Sequence, residues 1–158
     1  HLATVLFTDF VDSTPAAAAV GDQRWAQVLD QHDAAARQIV ADGKGTLVKL
    51  TGDGVLATFD GPGRAVECAE RLVKSANELG ISLRAGVEAG EFEQRGEEVS
   101  GIGVNIRARV CSASAGGEVL VSSTVKDLVI GSELRFESRG QRHLKGIDEP
   151  WNVYALRF

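Results

Sequence analysis

Apolar positions along the chain follow two rhythms. Residues 2–8 form a short, almost unbroken apolar run that reads as a buried strand. From Asp22 onward the apolar positions Trp25, Val28, Leu29, Ala36, Ile39 and Val40 recur every three to four residues, which predicts an amphipathic helix with Asp22 as its cap. A second such stripe, Ala65, Val66, Ala69, Leu72, Val73 and Ala76, starts at Pro62-Gly63 and ends at Gly80. Between the two helices, residues 46–50 and 55–59 read as strands of a hairpin around Thr51-Gly52-Asp53-Gly54, because Asp-Gly favours a tight turn.

Ser13-Thr14-Pro15 reads as the start of a short alanine-rich helix over 15–20 that Gly21 closes. Further on, 81–89 predicts a strand, 91–100 a polar hairpin, and 104–113 a helix stopped at Gly116-Gly117. A short strand over 118–121, a short helix over 122–129, and strands over 134–140 and 151–158 close the chain. Hairpins mixed with crossover helices predict one α+β sheet with its helices mainly on one face. No internal repeat or low-complexity segment interrupts this order.

Composition narrows the classes. The chain has 158 residues, so a single domain over 1–158 is expected. It opens without methionine and enters a strand at once, which suggests a domain excised from a longer protein. Hydrophobic residues make up 44%, too many for a disordered chain. The net charge of -5 argues against a nucleic-acid polymer as partner, whose binding surfaces are basic, but leaves room for one nucleotide with metal ions. Cys68 and Cys111 sit among small or apolar residues and read as buried thiols of a cytoplasmic protein. No apolar run approaches the roughly 20 residues that span a bilayer.

Two strings carry candidate chemistry: Phe7-Thr8-Asp9-Phe10-Val11-Asp12-Ser13-Thr14 and Lys49-Leu50-Thr51-Gly52-Asp53-Gly54. Each puts an aspartate at the end of a strand-like run. Taken singly, Asp9 is a helix cap and Asp53 a turn residue. Taken together, two carboxylates suit a pair of divalent ions about 3.5–4 Å apart of the kind that works on phosphates. The helix start after Asp9, with Ser13 and Thr14, is a natural anion site. Asn105 and Arg109 are four apart and share a helix face, able to hold a sugar and a phosphate oxygen or simply to meet solvent. Lys49 is a cation in an apolar strand and needs a partner or an escape to solvent. Lys145, in a late turn, is a surface lysine or a ligand for a phosphate tail. The three histidines show no metal-ligand spacing, and no P-loop or nucleophile-elbow motif is present.

In this order, the strings resemble the catalytic domain of class III nucleotidyl cyclases, of the bacterial adenylyl type. The family's F-x-D-I-x-x-[ST] corresponds to the run from Phe7 to Ser13, its K-x-x-G-D to the run from Lys49 to Asp53, its V-N-x-A-x-R to the run from Val104 to Arg109, and its late K-G to Lys145-Gly146. The resemblance covers essentially the whole chain. It implies a ferredoxin-like βαββαβ core and conversion of ATP to 3′,5′-cyclic AMP and pyrophosphate.

Under it, two Mg²⁺ or Mn²⁺ ions would sit on Asp9, Asp53 and the Phe10 carbonyl. The amides from Val11 through Asp12, Ser13 and Thr14 would cradle phosphates, Asn105 would orient the ribose, and Arg109 would stabilise charge at the α-phosphate. Lys49 and Glu98 would read adenine, with Glu98 standing where Asp is usual. Lys145 would hold the triphosphate tail, with more to do because many relatives carry Arg where Glu91 falls. The family works as a head-to-tail dimer, which implies a homodimer with two shared sites. A guanylyl or mixed-specificity cyclase, and a silent nucleotide-sensing or dimerisation module, are the competing readings.

Overall fold

The structure, a computed structural model, describes residues 2–11, 21–51, 54–95, 98–100, 116–142 and 151–158. Strand β1 (Leu2–Phe10) is followed by α1 (Asp22–Asp42), β2 (Thr46–Thr51), β3 (Gly54–Phe59), α2 (Pro62–Glu78) and β4 (Leu83–Glu91). Then come β5 (Glu93–Arg95), β6 (Glu98–Ser100), β7 (Val119–Ser122), α3 (Ser123–Leu128), β8 (Phe136–Arg142) and β9 (Trp151–Leu156). Seven strands form one sheet in the order β2-β3-β1-β4-β7-β9-β8, and β5 pairs with β6 in a separate ribbon. The first four strands with α1 and α2 make the βαββαβ core that the sequence predicts. Beyond it, β7 joins β4 in parallel, and β9 and β8 extend the sheet antiparallel.

The periodic stripes face the sheet as expected. Helix α1 buries Val28, Ala36, Ile39 and Val40, and α2 buries Ala65, Val66, Ala69, Leu72, Val73 and Ala76. These pack on Leu6, Val55, Ala57, Phe59, Leu83, Ala85 and Val87 of the sheet. Alternation along β1 sends Leu6 to this helix side and its neighbours Val5 and Phe7 to the other. There Ala3, Val5, Val48 and Phe92 form a smaller cluster with Phe7 and Leu56. The sheet thus has a helix-covered face, and a second face whose strand ends carry the polar residues considered below.

Boundaries shift where caps intervene. The strand predicted from residue 81 starts at Leu83. The Ile81 amide still donates to the Ala76 carbonyl at 2.9 Å, so residue 81 finishes the helix before the strand begins. Gly80 makes that turn with a φ of 80°, a conformation that favours glycine. The helix expected over 15–20 and the one expected over 104–113 lie outside the described residues.

Cys68 is a free, buried thiol whose Sγ donates to the Ile39 carbonyl at 3.5 Å, and burial pushes its pKa up. Cys111 lies outside the described residues. Among the described residues, no helix is long and apolar enough to cross a membrane.

His32 is the one core residue of α1 that the apolar pattern does not predict. It is 1% exposed, and neither ring nitrogen has a hydrogen-bond partner among the described residues. An unsatisfied buried polar group costs about 1–3 kcal/mol, a cost that the full burial of side chains such as Leu6 and Leu72, about 1.5–3 kcal/mol each, absorbs. Burial lowers the His32 pKa, and Asp33 opposes this only in part. The folded state therefore takes up this proton less readily than the unfolded chain. Stability is full above the unfolded value of about 6.5 and falls as pH drops below it, by up to about 1.4 kcal/mol per pH unit. Thermal unfolding at pH 5.5 should occur at a lower temperature than at pH 7.5. His32→Leu should flatten that dependence without loss of stability at pH 7.5.

Candidate active site at the end of the central strand

Strand β1 is hydrogen-bonded on both sides. On one side β3 runs antiparallel to it, from Thr4 opposite Phe59 to Asp9 opposite Gly54. On the other, β4 runs from Leu2 opposite Glu91 to Phe10 opposite Leu83. Asp9 therefore stands between Gly54 and Arg84 where the centre of the sheet ends. It shares a face with Phe7, the side away from the core helices. The Arg84 Nε donates to Asp9 Oδ1. The two side chains are 27% and 41% exposed. An ion pair this open is worth about 1 kcal/mol or less, enough to hold the carboxylate and too little to resist exchange for a stronger partner.

Phe10 points to the helix side. Its ring meets Trp25 edge-on at 6.2 Å between centroids and His32 at 5.4 Å. The Val11 amide, expected in a phosphate cradle, donates instead to the Ser82 carbonyl at 2.9 Å and is already engaged.

Lys49 reaches the Asp9 face through an irregularity in β2. Leu47 pairs with Ala57 and Lys49 with Leu56, so Val48 is an extra residue between them. Without this bulge, strict alternation would put Lys49 on the side of Leu47, which packs on the helix-side core. With it, Lys49 is exposed on the side of Leu56 and Phe7, one row from Asp9.

Glu98 opens β6 opposite Arg95, in the ribbon apart from the main sheet. Asp12, Ser13, Thr14, Asp53, Asn105, Arg109 and Lys145 lie outside the described residues. Of the expected set, the structure describes Asp9, Phe10 and Lys49, puts Lys49 on the Asp9 face two strands away, and adds Arg84 beside Asp9. The argument that singles out Lys49, a lone cation in an apolar strand, applies equally to Leu83-Arg84-Ala85, but only the register reveals its neighbour. Glu91 lies at the opposite end of β4, beside Leu2, so the arginine missing there takes nothing from the Asp9 end.

A carboxylate at a strand end is a hard oxygen donor of the kind that Mg²⁺ and Mn²⁺ take. Asp9 is open enough to serve. Among the described residues, no group of three or more His, Cys, Asp or Glu side chains gathers into a metal cluster. Strand β3, which follows Asp53 in the chain, starts directly opposite Asp9.

No family model matches the chain. It is 31% identical over 141 residues to the putative adenylate cyclase 3 of Rhizobium meliloti, a match that covers 84% of this chain and 23% of that protein. The fold superposes on the guanylyl cyclase Cya2 with a TM-score of 0.86 at 22% identity, over 99% of this chain and 91% of that one. An adenylate cyclase of Trypanosoma brucei, in its monomeric state, superposes with a TM-score of 0.87 at 19% identity, over 98% and 87% of the two chains.

The chain has the fold of a class III nucleotidyl cyclase catalytic domain. The chain spans less than two thirds of the curated relatives that it matches: 23% of the Rhizobium protein, and 32% of an adenylate cyclase from Streptomyces griseus to which it is 32% identical. In this cyclase fold, the end of β1 is where Asp9, Arg84 and, one row away, Lys49 share a face.

Proposed function

We propose that the chain is an adenylyl cyclase domain that converts ATP to 3′,5′-cyclic AMP and pyrophosphate, at sites shared between two copies in a head-to-tail homodimer. The observation that carries this reading is the position of Asp9: a half-open carboxylate at the end of the central strand, opposite the start of β3 and beside a cation. Relatives named adenylate cyclase, at about 30% identity, support the reaction class.

Asp9, Asp53 and the Phe10 carbonyl would hold two Mg²⁺ or Mn²⁺ ions, which when bound would make the ribose 3′-hydroxyl a better nucleophile and neutralise the triphosphate. Arg84 would exchange Asp9 for a phosphate oxygen, since its planar fork suits phosphate and its present pair is weak. Asn105 would orient the ribose, and Arg109 would face the charge that develops at the α-phosphate. The backbone after Val11, through Asp12, Ser13 and Thr14, would add amide donors, and Lys145 would hold the tail. Lys49 would donate to adenine N1 and Glu98 would accept from the N6 amino group. Glu98 is one methylene longer than the usual Asp, which favours mixed adenine and guanine specificity as the second reading.

A product assay with ATP and GTP in parallel, with Mn²⁺ or Mg²⁺, should give cyclic AMP from ATP as the main product. Asp53→Ala should lower turnover by orders of magnitude while circular dichroism stays native. Wild-type turnover from that folded variant would remove the metal assignment.

Arg84→Ala should raise KM for ATP by about tenfold or more, the loss expected for a charge-assisted hydrogen bond of roughly 1.5–3 kcal/mol. An unchanged KM would confine Arg84 to a structural role.

Asp53→Ala and Arg109→Ala should each be nearly inactive alone. Mixed, they should form heterodimers in which one site carries both lesions and the other none. Random mixing makes about half of the dimers mixed, each with one good site, so activity should return to at most about a quarter of wild type in a closed two-fold assembly. Chains that demonstrably exchange and stay inactive would place the whole site within one copy.

A further inference from the structure

We propose that Thr8 and Gly54 are positioning residues that set how closely the start of β3 approaches Asp9. The proposal rests on the reading of Asp9 and Asp53 as metal ligands. It starts from a departure from ordinary strand pairing. Thr8 and Val55 are register partners, yet the Val55 amide donates to the Thr8 side chain, Oγ1, at 3.0 Å in a buried position. Thr8 is 3% exposed. A valine would fill a buried strand position as well; what the hydroxyl adds is the acceptor that the Val55 amide uses.

The neighbouring pair is tighter still. A Cβ built on Gly54 would lie 1.9 Å from the Thr8 carbonyl oxygen and 3.2 Å from the Asp9 Cα. Only glycine permits this approach, and any side chain would force β3 away from β1. Thr8 thus holds β3 twice: its hydroxyl binds the second residue of the strand, and its carbonyl lies against the first. Both contacts start from the residue before Asp9, and they fall on Gly54 and Val55, the two residues that follow Asp53 in the chain. A pair of ions about 3.5–4 Å apart tolerates little change in the spacing of its ligands.

The test is Mn²⁺ binding without nucleotide, followed by electron paramagnetic resonance, on wild type, Thr8→Val, Thr8→Ala, Thr8→Ser and Gly54→Ala, at a temperature where circular dichroism shows each protein folded. Thr8→Val and Thr8→Ala should weaken Mn²⁺ binding by about tenfold, the scale seen when a ligand's supporting contacts are removed, and Gly54→Ala by at least as much. Thr8→Ser keeps the hydroxyl and should stay within about twofold of wild type. If Gly54→Ala does not fold, the Thr8 series decides alone. Thr8→Val and Thr8→Ala proteins that melt earlier yet bind Mn²⁺ like wild type would overturn the proposal and leave Thr8 a purely structural residue. Asp9→Asn serves as the reference: if it binds Mn²⁺ like wild type, the metal reading itself fails, a result separable from failure of the positioning role.

Discussion

A charge at the end of a strand bonded on both edges must be served by the two neighbouring strands, because that strand has no open edge of its own. Asp9 meets this constraint with a glycine on one side and an arginine on the other. The glycine lets β3 come close, and the arginine supplies a counter-charge. Much of the site geometry follows from this arrangement. The register of β3 fixes where β2 lies, the bulge in β2 brings Lys49 onto the Asp9 face, and the register of β4 puts Arg84 beside Asp9 and Glu91 far from it.

The two faces of the sheet differ in make-up. The helix side holds the large cluster built on Leu6, Leu72, Leu83 and their neighbours. That burial is ample to carry a misfit such as the unsatisfied imidazole of His32. The other side has a smaller apolar cluster, and its strand ends carry Asp9, Arg84 and Lys49. Phe10 spans the division: its ring is anchored among Trp25 and His32, while it follows directly on Asp9.

The core elements were legible in the sequence because their apolar periods are strong. The stripes of α1 and α2 and the hairpin around Asp53 match their predicted places to within a residue or two. Asp9 and Lys49 were legible as charges set against apolar strands. What could not be read was pairing. Arg84 has the same local signature as Lys49, and only the antiparallel register of β4 shows that it meets Asp9. The Val48 bulge and the engagement of the Val11 amide by Ser82 are likewise products of tertiary contact, and His32 falls in the core stripe although its chemistry argues for the surface.

The bulge in β2 also bears on how such a domain can change over time. β2, which carries the bulge, is at the edge of the sheet, bonded among the described strands only to β3, and a side-chain change on an edge strand meets fewer neighbours than one on a central strand. Asp9 sits on a strand held from both sides. Under the proposed function, the residue that would discriminate between bases can therefore vary at low structural risk, while the residue that would hold the metal ions cannot. Substrate preference and catalytic competence would then lie on parts of the sheet with different mutational freedom, so a lineage could drift between bases without first losing the reaction.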